Sequence, residues 1–164
     1  MPYEPFYERF KEIALKETRS ITIHNNPELP DDDYGFLEAY CNDENCDCRR
    51  VFFNVVSRKR GEVVAVIAYG WESKAFYSKW YRQNDPEMIE ELRGPALNSM
   101  SEQSELAPAL LAMVRNTLLM EPSYIERLKR HYRMFKEKVD PQHFRPSDVG
   151  QPKGKSRKRH GSRT

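Results

Sequence analysis

Between Arg19 and Trp71 the apolar residues fall into short runs rich in β-branched and aromatic side chains, whereas after Trp71 they return every three or four residues. The first pattern fits strands and the second fits helices. Runs at 19–24, 34–41, 49–57 and 63–71 predict four strands, and their short connections predict an antiparallel meander. Asn42 to Asp47 turns the second run into the third, and Lys59-Arg60-Gly61 turns the third into the fourth. Ahead of these, Phe6, Phe10, Ile13 and Ala14 share one face of an amphipathic helix over 5–15.

Beyond Trp71 the pattern predicts four helices. Ser73 to Arg82 forms a short one carrying Phe76, Tyr77 and Trp80. Asp85-Pro86 supplies a cap and a first-turn proline for the next, which Gly94 ends. Ser104 caps a third whose buried stripe is Leu106, Leu110, Met113, Val114 and Leu118. The fourth spans about 122–139, because Pro141 and Pro146 prevent its continuation. In it Tyr124, Leu128, His131 and Phe135 follow the spacing of a single inward face. The fold class expected is α+β: a small antiparallel meander of about four strands packed with an N-terminal helix and a C-terminal helical half.

Composition divides the chain unevenly. Of 27 basic residues six lie after Gly150, where there is no acid, leaving 21 to face 25 acids. The expected organisation is therefore one domain over 1–145, mildly acidic, and a disordered basic tail over 146–164 with nothing to bury. The mean hydropathy of −0.85 owes part of its polarity to that tail. The longest apolar stretch, Val63 to Trp71, is too short to cross a bilayer, and the first fifteen residues carry Glu and Lys where a signal peptide needs an apolar run. A soluble, cytoplasmic protein without a membrane partner is expected.

The chemistry concentrates in one turn. Cys41, Cys46 and Cys48 fall within eight residues, and an odd count in a reducing compartment argues against a structural disulfide. Thiolates select soft or borderline ions, so the turn is read as a zinc site, with Arg49 and Arg50 placed to offset its charge. The alternatives are inert buried thiols and redox or nucleophilic chemistry. The Cys-x4-Cys-x-Cys spacing supplies three ligands, and a fourth has to come from elsewhere. His131 is the candidate, being inward-facing on its helix. Asp43, Glu44, Asp47, His143 and water are alternatives, and His24 stands at the far end of its strand.

The run Tyr40-Cys41, Cys46-Asp47-Cys48-Arg49-Arg50, Tyr69-Gly70-Trp71, Phe76-Tyr77, Lys79-Trp80, His131-Tyr132 and Phe135-Lys136 resembles a group of small uncharacterised bacterial proteins. The resemblance implies no activity.

Other features read more plainly. Asp31, Asp32 and Asp33 could with Glu38 suggest a magnesium site, but an acidic run before a strand is ordinarily a solvated loop, and Glu38 a hydrogen-bonded structural acid. The aromatic cluster from Tyr69 to Tyr81 reads as a core junction rather than a stacking platform. The last helix shows a basic outer face of Arg127, Lys129, Arg130, Arg133, Lys136 and Lys138. The functional expectation is a zinc-stabilised interaction module with a protein or nucleic-acid partner. The other expectations are a nucleic-acid-associated protein using the last helix and tail, and an enzyme with an open metal position.

Overall fold

The computed structural model describes residues 3–145. The basic tail expected over 146–164 lies outside them. Strands β2 (Arg19–Ile23), β3 (Asp32–Cys41), β4 (Arg50–Ser57) and β5 (Glu62–Gly70) occupy the four runs expected, and they pair antiparallel in chain order. The sheet is larger than four strands. Tyr3–Pro5 forms β1, which pairs with the Cys41 end of β3, and Ala96–Leu97 forms β6 against β5. Both added strands are too short to show a period of two. Pro5, which lacks an N–H, is accommodated because β1 lies on the edge of the sheet.

The helix expected over 5–15 is divided. Helix α1 (Phe6–Arg9) and helix α2 (Lys11–Glu17) meet at Phe10, whose φ of −130° and ψ of 55° leave the helical region. Phe6 stacks on Phe10 at 4.9 Å and on the His131 ring at 4.4 Å, so tertiary packing overrides the local periodicity. Three of the four later helices follow their sequence signals closely; the other has Leu106 and not Ser104 as its N-cap, the Ser104 hydroxyl accepting from the Leu106 N–H at 3.1 Å, and it ends before Leu118. Helix α3 (Lys74–Tyr81) is capped by Ser73, whose hydroxyl accepts from the Phe76 N–H. Helix α4 (Pro86–Arg93) is capped by Asp85 and ends at Gly94, and α5 (Ala107–Asn116) follows. Helix α6 is Pro122–Val139.

One face of the sheet carries the main core. Tyr34, Phe36 and Tyr40 of β3 with Val51, Phe53 and Val55 of β4 pack against Leu110 and Val114 of α5 and Tyr124, Leu128 and Phe135 of α6. A smaller apolar cluster of Ala39, Phe52, Val66 and Ala68 lies apart from it, and Tyr3 covers it, its ring stacked on Phe52 at 3.9 Å.

Within the main core, α6 is held to β3 by polar contacts. Glu38 projects from the same face as Tyr34, Phe36 and Tyr40, and its Oε1 accepts from the Tyr40 hydroxyl at 2.6 Å and meets His131 Nδ1 at 2.7 Å. The other ring nitrogen of His131 lies 3.3 Å from Glu17 Oε1, and Arg130 also pairs with Glu17. Both contacts fall on Oε1, while the buried Oε2 of Glu38 has no hydrogen-bond partner among the described residues, so the carboxyl is anchored through one oxygen.

The Arg130 hydrogen bond, against the opposing effect of burial and helped by His131, holds the Glu17 carboxyl below its usual range. A carboxyl depressed in the folded state adds stability above its unfolded value of about 4.3, and that stability is lost as pH falls through the folded value. Glu17→Gln is expected to cost about 1 kcal/mol at pH 7 and progressively less below about pH 4. Denaturant titrations at the two pH values check this, and a cost independent of pH contradicts it.

Candidate metal centre

The cysteine loop, residues 42–49, is shaped by two residues with positive φ. Asn45 (φ 62°) in its middle and Arg49 (φ 51°) at its end take the left-handed conformation, which Asn tolerates better than most residues. Both are anchored through their backbone N–H groups. Asn45 donates to Asp140 Oδ2 at 2.8 Å, and Arg49 donates to the Tyr132 hydroxyl at 3.2 Å. Tyr132 in turn donates to Asp47 Oδ1 at 2.7 Å. The Arg49 carbonyl accepts from the Tyr77 hydroxyl at 2.8 Å, a contact open only because residue 70 is glycine: a Cβ there would meet Tyr77 Oη at 2.3 Å.

Held this way, the loop folds Cys46 and Cys48 back onto Cys41 at the end of β3. The three Sγ atoms lie within 4.8 Å of one another. Sulfurs around one zinc ion at roughly 2.3 Å each would stand about 3.8 Å apart in tetrahedral geometry, so small side-chain adjustments bring all three onto a common ion. All three are free thiols. Cys41 is 3% and Cys48 2% exposed, and Cys46 is half-buried. The centre is therefore reached from the Cys46 side.

The electrostatics favour thiolate. Hydrogen bonds from Cys46 and Cys48, joined by the Asp43 N–H and the charge of Lys136, outweigh burial and hold the Cys41 thiol far below its usual range. The same contact with Cys41 pushes the Cys46 and Cys48 thiols up. A metal ion bound by all three sulfurs would displace the protons that they still carry. Tyr3 reaches the cluster because β1 places it opposite Cys41, and its hydroxyl stands 3.9 Å from Cys48 Sγ. Burial, with the neighbouring Cys48, keeps that phenol protonated.

His131 does not join the cysteines. It is fully buried, as its spacing requires, but both ring nitrogens face carboxylates, Glu38 on one side and Glu17 on the other. Among the described residues the group able to share an ion is Cys41, Cys46 and Cys48 alone. His143 is turned to Asp140 at 2.8 Å, and His24 pairs with Asp31 at 3.1 Å. Asp47 is engaged by Arg49 and Tyr132. The acids once weighed for magnesium are used locally: Asp32 accepts from Ser57 at 2.5 Å and from the Lys59 N–H, and Asp33 accepts from Thr22 and Arg58.

Lys136 is the site residue whose charge conceals its position. Expected on the basic outer face, it has no exposed surface, and its Nζ donates to the carbonyls of Cys41 at 3.1 Å and Asp43 at 2.9 Å. The signal was present: Lys136 stands four residues after Tyr132 and eight after Leu128, on the shoulder of the buried stripe. Other members of the basic face are paired with acids, Arg127 and Arg130 with Glu17 and Lys129 with Glu126.

Comparison of the chain with family models, with curated proteins and with solved structures returned no match. No helix among the described residues is long and apolar enough to cross a membrane.

His131→Ala is expected to cost roughly 3 kcal/mol of stability, since it strips Glu38 of a buried partner and leaves a void against Phe6. Metal content per folded chain should not change. Loss of metal from the folded variant would return His131 to the ligand set.

Proposed function

We propose that the protein is a metal-binding domain in which Cys41, Cys46 and Cys48 hold one zinc ion in a structural role, and that it acts as an interaction module rather than through chemistry at the metal. The observation that carries this reading is the convergence of three sulfurs within 4.8 Å on a loop fixed from three sides. Three thiolates bind zinc far better than magnesium or calcium, which prefer oxygen. A fourth ligand comes from solvent or from a small thiol, because the nearby histidines and acids have other partners. A structural role is supported by the burial of Cys41 and Cys48, whereas the fourth position, to which no histidine or carboxylate among the described residues is aimed, is the feature that favours the second reading, an enzyme with an open zinc position.

The ion would tie together the end of β3, the loop and the start of β4, and through Lys136 and Tyr132 it would brace α6. The domain has a large apolar core of its own, so metal is expected to add stability to a fold that forms without it.

Freshly purified protein, never exposed to chelator, should contain about one zinc per chain by elemental analysis. Cys46→Ser or Cys48→Ser should release the ion and lower the melting temperature of the wild type to that of the chelated form. Protein that carries no metal and takes up none on titration contradicts the reading.

A further inference from the structure

Lys136 is a fully buried ammonium beside a cluster of thiols. Burying an isolated charge is expensive unless something compensates it. Its two hydrogen-bond acceptors, the carbonyls of Cys41 and Asp43, orient the ammonium without cancelling its charge. A third contact, the Phe144 ring with its centroid 5.5 Å from Nζ, is the face-on environment a cation prefers.

The other charges around the centre are placed differently. Arg50 is one group further out: its Nη1 donates to the Tyr3 hydroxyl at 3.4 Å, its Nε donates to the Leu92 carbonyl, and its guanidinium lies over Phe52. Arg49 is paired with Asp47 and Glu72, and Asp140 is engaged by Asn45 and His143. Lys136 is thus the fully buried cation that hydrogen-bonds the end of β3 and the loop that follows it, and its hydrogen bonds include no carboxylate.

We infer that Lys136 is the counter-ion of the three-thiolate centre and makes it select divalent over trivalent ions. The inference rests on the metal reading above. Three thiolates and a dication leave one negative charge, which the ammonium cancels. With a trication the thiolates are already neutralised, and the buried ammonium is left uncompensated. In an interior of low effective dielectric such an imbalance weighs far more than it would in water.

Cadmium(II), a spectroscopic substitute for zinc, and arsenite, a trivalent probe, test this. Arsenite binds without redox change: three As–OH bonds break and three As–S bonds form, and the three hydroxyls leave as waters with protons from the thiols and, for a sulfur already ionised, from solvent. In Lys136→Met the affinity for cadmium should fall roughly 10- to 100-fold, the range seen when a partner of a metal ligand is removed, while arsenite affinity holds or rises. Lys136→Arg, which keeps the charge, should retain the wild-type ratio of the two affinities.

Equal losses for both ions in Lys136→Met would mean that the lysine merely holds the loop, and would overturn the inference. Should that variant not fold, a synthetic peptide of residues 41–48 provides a reference with the three cysteines and without the lysine. The domain's gain over the peptide should then be at least about 10-fold greater for cadmium than for arsenite. Equal gains would overturn the inference. Uptake of neither ion by the wild type is a different result, since it removes the metal centre itself and with it any counter-ion.

Discussion

Helix α6 buries two polar side chains five residues apart, and the arrangement of the cysteine cluster follows from how each is anchored. His131 fixes the middle of the helix to the Glu38 carboxyl of β3, and Lys136 fixes its last turns to the carbonyls of the cysteine loop. Neither group can leave its place cheaply, because each would strand a buried charge or acceptor. The intervening Tyr132 adds a hydroxyl that accepts from one end of the loop and donates to Asp47 within it. A polar seam thus determines the register of the helix on an otherwise apolar interface, which by itself would tolerate sliding.

The loop needs such support because it has little of its own. It contains no regular structure, two of its residues hold positive φ, and the paired register of β3 with β4 ends at Ala39 and Phe52, before the cysteines. What brings the three sulfurs together is contributed from outside: Asp140 and Tyr132 at the loop's backbone, Tyr77 through the gap left by Gly70, and Tyr3 from an edge strand. The site stands where several elements meet at one end of the sheet, and contacts with its neighbours hold the Cys41 thiol well below its usual range. An arrangement so arranged to hold negative charge, with a buried ammonium at its side, is suited to receiving a cation.

Much of the fold was legible in the sequence because it rested on local signals. The four long strands, the caps at Ser73 and Asp85, and the full extent of α6 follow from periodicity and capping chemistry. The short strands β1 and β6 left no pattern, since two or three residues cannot display one. The break at Phe10 was hidden because the same apolar spacing serves one helix or two, and packing of Phe6 on His131 decided between them. At the site, the clustering of Cys41, Cys46 and Cys48 was visible in their spacing. His131 was rightly placed inside but assigned the wrong neighbour, because periodicity gives a residue's face and not its partner. Lys136 was lost for the opposite reason: charge suggested exposure, whereas its long side chain runs inward to carbonyls that only the folded loop presents.

The proposed zinc ion is held by Cys41 at the end of β3 and by Cys46 and Cys48 of the loop. X-ray absorption at the zinc edge, recorded on the purified full-length protein, measures this directly. The account predicts a first shell of three sulfurs at about 2.3 Å completed by a fourth ligand from solvent or a small thiol. A shell of nitrogen and oxygen atoms without sulfur would contradict it, as would a protein that retains no zinc to measure.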